Sequence, residues 1–321
     1  MKKLLVKGLL FLFPLLLIVA VWEYKLNKVV NSYSKKRTTL EAGLSTMEVL
    51  VLGNSHDLYG INPAFFIRKG YNLADVSQSL FYDKSITLKY LAQMPSLKYV
   101  FIDVSYFSLW YQLNNDPVEN WRDYFYAQFW SIQYPALKWY NLNLYSKILI
   151  YSPREALQYA LKDFHVNLAE DISPEGWQSI STLGPDNHSP KKTDSLTRTR
   201  IKYLDGFCRP ECFKDNLGYL DSLLTQLDKR HIKVFLITTP VTPLFLKYAD
   251  KRKIAVTDSV LKVLSHQFSS RYIDYLQDIR FTDPDFEDAD HLSPEGAKKL
   301  SIMLNMEMLS DSSGSSDAKG K

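Results

Sequence analysis

Two short stretches carry the residues best suited to chemistry. The first, Gly53-Asn54-Ser55-His56, closes an apolar run at 47–53 that reads as a buried strand. A serine just past the carboxyl end of a strand sits where α/β sheets bind ligands, and glycine lets the chain turn tightly there. A serine hydroxyl is a weak nucleophile until a base lies within hydrogen-bond reach and a carboxylate orients that base. The second stretch, Phe286-Glu287-Asp288-Ala289-Asp290-His291-Leu292-Ser293-Pro294-Glu295-Gly296, follows the last predicted strand and opens the last predicted helix at Ser293 or Pro294. Asp288 and His291 are spaced so that the carboxylate can hold one ring nitrogen while the other faces Ser55. Each stretch also has a plainer reading. Ser55 can be the N-cap of a helix. The second stretch can be an acidic loop with a solvated histidine, or a calcium loop using Asp283, Asp285, Glu287, Asp288 and Asp290, although it lacks the regular ligand register. Apart from Asp288, the carboxylates Asp285 and Asp290 read as solvated.

The elements that must position these residues follow from periodicity. Strands are predicted at 47–53, 71–74, 99–105, 231–239 and 272–276, and helices at 85–93, 217–229, 254–268 and 294–308. The alternation predicts an α/β fold, a three-layer α/β/α domain over 47–309 with a central, mostly parallel sheet. Residues 106–216 break the alternation. They are helical in texture and rich in Trp110, Tyr111, Trp121, Tyr124, Phe125, Tyr126, Trp130, Trp139 and Tyr140, so they read as a large insertion or lid. Its rings either stack on sugars, shape a partner surface, or form the insertion's own core. Residues 310–321 are a Ser/Gly tail expected to be disordered.

Residues 1–24 read as an uncleaved signal anchor, one transmembrane helix, because Ala20-Val21-Trp22 is a poor cleavage site and Trp22 and Tyr24 suit the interface. Residues 25–46 read as a polar juxtamembrane stalk. Its Lys25, Lys28, Lys35, Lys36 and Arg37 weigh against an exported carboxyl-terminal domain. The net charge of +4 comes without a basic stripe, which argues against nucleic acid as a partner. Cys208 and Cys212 either close a small disulfide loop or stay as two thiols, and they are too few for a metal site. His56 is a supporting donor or simply polar, and His165, His188, His231 and His266 read as structural or solvated.

The ordered pair of blocks, Gly53-Asn54-Ser55 near the start of the domain and Asp288 to Gly296 near its end, resembles the first and last signature blocks of the SGNH/GDSL-like hydrolase superfamily. The resemblance brackets nearly the whole chain after the anchor. It is strongest to the membrane-anchored branch that includes alginate and peptidoglycan O-acetylation proteins and the teichoic-acid D-alanylation protein. It implies a Ser55–His291–Asp288 triad acting as a serine esterase or O-acyltransferase on an acylated cell-envelope carbohydrate, without metal or organic cofactor. It also implies a single-pass protein of the bacterial inner membrane with an extracytoplasmic catalytic domain. The alternatives are a non-catalytic assembly protein that binds polysaccharide or a membrane acyltransferase partner, and a lipase-like enzyme. Three departures stand out: Asn54 replaces the usual Asp, the loop after the second strand has no Gly, and Asp103-Val104-Ser105 stands where an Asn is expected. The oxyanion donors are therefore Ser55 N–H, with Ser77, Gln78, Ser79 and Ser105 as candidates.

Overall fold

A computed structural model gives the fold and describes residues 2–162, 166–180, 192–268 and 270–317. Five strands, β1 (Val49–Leu52), β2 (Gly70–Asn72), β3 (Tyr99–Asp103), β4 (Lys233–Thr238) and β5 (Ser270–Asp274), form one sheet in the order β2-β1-β3-β4-β5. All neighbours are parallel, with Val51 beside Asn72 and Phe101, and Phe101 beside Phe235. The described helices are α1 (Lys2–Leu26), α2 (Ser32–Gly43), α3 (Ser55–Gly60), α4 (Leu80–Tyr90), α5 (Arg122–Phe125), α6 (Lys147–Ile150), α7 (Pro153–Leu161), α8 (Asp194–Phe207), α9 (Cys212–Asp228), α10 (Pro243–Tyr248), α11 (Lys251–Gln267) and α12 (Pro294–Asp317).

The chain divides into two units, Thr38–Glu119 with Asp171–Lys321, and Met1–Arg37 with Asn120–Glu170. The first unit holds the sheet. Its strands are apolar at every position of β1 and nearly every position of β3 and β4, as expected when both faces are covered. Val49, Val51, Phe101, Phe235 and Ile237 pack with Leu300, Leu304 and Met308 of α12 on one face. Leu50, Leu52, Val100, Ile102 and Leu236 alternate onto the other face, where α9 meets β4 and α4. The strand order reverses between β2 and β3, so the carboxyl ends of β1 and β3 flank the crevice where such sheets bind ligands.

The second unit is built from the amino-terminal segment and the middle of the expected insertion. Trp22 Nε1 donates to Ala156 O at 2.8 Å, and Glu23 accepts from the amides of Lys147 at 2.8 Å and Ile148 at 3.2 Å. Tyr33 packs against Phe125 and Tyr126. Phe125, Tyr126 and Trp130 are thus core of this unit, while Trp139 and Tyr140 are 76% and 66% exposed.

Several expectations need correction. The run at 106–216 is not one insertion: residues 120–170 belong to the second unit, and residues 106–119 and 171–216 to the sheet unit. The polar stretch 25–46 contains α2, in which Lys36 and Leu40 are buried. α12 continues past the expected tail boundary to Asp317, and residues 318–321 lie outside those described. Among the described residues no helix is long and apolar enough to cross a membrane. The expected span folds as α1, with Leu10, Phe11, Phe13 and Leu16 exposed. Cys208 and Cys212 are unpaired thiols, the first ending α8 and the second opening α9. Cys208 donates to Leu204 O, and Cys212 Sγ accepts from Asn115.

Gly296 explains why the final motif ends in glycine. Ser293 caps α12, its Oγ accepting from Gly296 N at 3.2 Å and donating to Pro284 O at 2.8 Å. This draws the first turn of α12 onto the preceding loop, and a Cβ on Gly296 would lie 2.0 Å from Asp285 O. Gly296→Ala should cost about 2–3 kcal/mol by urea denaturation, because backbone must move to admit the methyl group. Gly218→Ala is the control. Its Cβ meets nothing within 4 Å in the middle of α9, so helix propensity should stabilise the protein by about 0.5–1 kcal/mol. Equal effects of the two changes would contradict this role for Gly296.

Candidate active site

The turn after β1 sets the position of Ser55. Gly53 has φ of +146°, where a side chain is strained, and a Cβ there would lie 1.9 Å from Asp57 Oδ2. Asn54, not Ser55, is the N-cap of α3. Its Oδ1 accepts from His56 N at 3.0 Å, and Asp57 Oδ2 accepts from Asn54 N at 3.2 Å. Ser55 is therefore the first residue of the helix, with its hydroxyl not used for capping. Its amide is one that a helix start leaves without an intrahelical acceptor.

The carboxyl-terminal loop supplies the partners. Phe286 bridges Leu292, Glu287 N donates to His291 O at 3.0 Å, and Ser293 N donates to Asp285 O at 2.9 Å, so the loop is closed by its own backbone. His291 Nε2 lies 2.9 Å from Ser55 Oγ, and Nδ1 lies 2.9 Å from Asp288 Oδ2. Asp288 Oδ1 accepts from the amides of His291 at 2.8 Å and Asp290 at 3.0 Å. Burial works against the charge of Asp288, but His291 and these amides hold its carboxyl below the usual carboxylate value. Burial likewise works against protonation of His291, but Asp288 and Asp290 outweigh it and raise the imidazole above its ordinary value. The hydroxyl, the base and the orienting carboxylate thus form one chain of hydrogen bonds, the arrangement needed to remove the serine proton as it attacks.

A second network lies behind the first; the sequence offered His56 as a supporting donor, but the buried Asp290 and its partner Arg200 were missed. Asp290 is 1% exposed, contrary to the solvated role expected of it. Its Oδ2 accepts from Arg200 Nε at 2.9 Å and lies 3.0 Å from His56 Nε2, while Oδ1 lies 3.8 Å from His291 Nδ1. Burial raises the Asp290 carboxyl, but Arg200 and the two histidines bring it well below the usual value. Asp285 is also buried, paired with Lys299. His56, Asp290 and His291 offer ring nitrogens and a carboxylate within 4.8 Å of one another. The Arg200 guanidinium already supplies the counter-charge to Asp290, so the cluster is closed as an ion pair.

His56 Nδ1 lies 2.9 Å from Ser105 Oγ, which also takes Asn54 Nδ2 at 3.0 Å and makes a short bond with Asp103 Oδ2. Ser105 has one proton to donate between Asp103 and His56. The Ser105 hydroxyl donates to Asp103 and accepts from Asn54, so Asp103, Ser105 and His56 form one buried polar chain. Burial raises the Asp103 carboxyl, opposed by His56 and by the bonds from Ser105 and the Thr239 amide. Burial also raises Asp57 and brings Asp83 to about 7. Asp83 Oδ1 takes the Gly53 amide at 3.0 Å.

The hydroxyl and imidazole open into a cavity of 650 Å³ lined by Tyr59, Val76, Phe107, Arg200 and Tyr203 among others. Of the oxyanion candidates, Ser77 lines this cavity and has φ of +56°, the conformation a glycine would supply without strain. Gln78 is turned away, donating to Asp83 at 2.7 Å, and Ser105 is committed to the second network. Ser79 precedes α4, and its buried Oγ has no hydrogen-bond partner among the described residues. His231 and His266 are exposed, and His165 and His188 lie outside the described residues.

No family model matches the chain, and no curated protein matches it. Among solved structures it is similar to a candidate acylhydrolase of Bacteroides fragilis NCTC 9343, at 13% identity and a TM-score of 0.41, over 86% of this chain and 94% of that one. It is also similar to a GDSL-like lipase of Bacteroides thetaiotaomicron VPI-5482, at 11% identity and a TM-score of 0.42, over 88% of this chain and 100% of that one. These scores are too low to bear on the reaction, which rests on the distances above.

The two loop carboxylates should fail differently when changed. Asp288→Asn should slow esterolysis at Ser55 by orders of magnitude with little loss of stability, because Asn can favour the wrong tautomer and cannot offset an imidazolium. Asp290→Asn leaves Arg200 without its buried counter-charge and should cost about 3–5 kcal/mol by chemical denaturation. If Asp290→Asn is stable, or Asp288→Asn is fully active, the division of roles is wrong.

Proposed function

We infer that this protein is a serine-dependent acyl hydrolase or acyltransferase of SGNH type acting on ester-linked acyl groups. The observation that carries this reading is the unbroken Ser55–His291–Asp288 chain of hydrogen bonds at the mouth of a cavity. Ser55 Oγ attacks the acyl carbonyl as His291 Nε2 takes its proton, and Asp288 stabilises the resulting imidazolium. The amide of Ser55 stabilises the oxyanion, with the Val76–Ser77 segment as the place for a second donor. His291 then returns the proton to the leaving alcohol, leaving an acyl-Ser55 ester. Water, or a sugar hydroxyl, resolves that ester with His291 again as the base.

The substrate class proposed is an acylated carbohydrate of the cell envelope. The same proposal puts the chain at the inner membrane with the catalytic unit outside the cytoplasm. Support for the membrane placement is the exposed apolar surface of α1, including Leu10, Phe11, Phe13 and Leu16, followed by Trp22 and Tyr24. A second reading, a non-catalytic assembly protein that binds polysaccharide or a membrane acyltransferase, is favoured by the exposed Trp139, Tyr140, Leu142 and Tyr145.

Incubation with 4-nitrophenyl acetate separates the two readings. The catalytic reading predicts release of 4-nitrophenol and a trapped acetyl group on the Ser55 peptide by mass spectrometry. Ser55→Ala, His291→Ala and their double variant should be about equally inactive, because relay members act as a unit. Multiplicative losses, or turnover that survives Ser55→Ala, would favour the binding-only reading.

A further inference from the structure

The base has one carboxylate more than the reaction needs. Two carboxylates of its own loop face His291 Nδ1, Asp288 at 2.9 Å and Asp290 at 3.8 Å. From α3 come Ser55 on Nε2, the His56 ring at 5.0 Å and the Tyr59 ring at 5.5 Å. From α8 comes Arg200, whose Nε lies 3.2 Å from Asp290 Oδ1 and 2.9 Å from Oδ2, with Nη2 also 2.9 Å from Oδ2. Both carboxylates favour the imidazolium. If both acted at full strength, the resting base would hold a proton and could not take one from Ser55. Among the described residues Arg200 is the one guanidinium on Asp290, and its Nε contacts both carboxylate oxygens, which holds its positive charge against them.

We propose that Arg200 is a positioning residue for the base: held on Asp290, its charge partly offsets the second carboxylate and helps keep His291 free to accept the proton of Ser55. This assignment rests on the reading of Ser55, His291 and Asp288 as an acyl-transfer relay. Arg200 acts through Asp290 and takes no part in bond making. At His291 the two carboxylates raise the imidazole on balance, Asp288 more than Asp290, and Arg200 opposes them in part. His56 supports the same carboxylate from the other side, through a ring anchored on Ser105.

The test uses the full chain and two readouts. One is the titration midpoint of His291 by NMR in protein labelled with nitrogen-15 histidine, the signal assigned by its loss in His291→Gln. The other is the acidic limb of the kcat/KM profile for 4-nitrophenyl acetate. Arg200→Gln removes the offsetting charge. The imidazolium is then more stable, so both midpoints should rise by about one pH unit, with most of the activity regained on the alkaline side. Arg200→Lys should stay close to wild type. Asp290→Asn should lower the midpoints, and the double variant Asp290→Asn/Arg200→Gln should bring them back up. That last step keeps the proposal testable should Arg200→Gln alone not fold. An unmoved midpoint with activity lost equally at every pH would overturn the proposal, as would Arg200→Lys behaving like Arg200→Gln. A midpoint that moves as described in a protein without esterase activity would uphold the charge assignment while refuting the acyl-transfer reading.

Discussion

The site depends on a single contact between two segments 236 residues apart, the 2.9 Å hydrogen bond from Ser55 Oγ to His291 Nε2. Most of the fold can be understood as what holds its two ends still. At one end, β1 is buried on both faces and delivers Ser55 at the strand-order reversal, through a turn that only Gly53 fits. At the other, the loop is closed on its own backbone and its exit is fixed by α12, whose Leu300, Leu304 and Met308 pack on the same face of the sheet as Val49 and Val51. The packing energy of the core is what keeps a short, directional contact from fraying.

Concentrating this many ionisable groups has a cost that the structure meets in two ways. Around the Gly53 turn, Asp57, Asp83 and Asp103 are buried and all three carboxyls are raised, which favours the neutral acid. Around His291, Asp288 and Asp290 are instead held below their ordinary values by the base, backbone amides and Arg200. On one side of the serine burial dominates the carboxyls, and on the other compensating charge does. Ser105 and His56 join the two regions, since the same serine hydroxyl touches Asp103 and the same imidazole touches Asp290.

The parts of this arrangement that were legible in the sequence are those encoded locally. The β1 run with the Gly53–Ser55 turn and the Asp288–His291 spacing are each encoded within a few residues, and the sheet brings these two distant segments together. The central strands β1, β3 and β4 were visible as apolar runs because both faces of the sheet are covered there. Asp290 was misread as solvated because its counter-ion, Arg200, lies 90 residues away in a helix whose sequence reads as an ordinary charged surface. Ser77 shows the limit of glycine as a marker: the loop after β2 lacks one, yet the positive φ is present and a serine adopts it. Ser105 was weighed as an oxyanion donor, but His56 and Asp103 claim it, a pairing that no local spacing announces. The aromatic run was read as one insertion because composition does not reveal that residues 120–170 would join the amino-terminal segment.

The most direct test of the activated serine is its reaction with a fluorophosphonate, which requires a nucleophilic oxygen with a base beside it and no knowledge of the natural substrate. Intact-mass and peptide analysis of the wild-type protein should show one adduct, on Ser55, formed at a rate that falls by orders of magnitude in His291→Ala. No adduct on a folded wild-type protein, an adduct on another residue, or equal labelling without His291 would contradict the account.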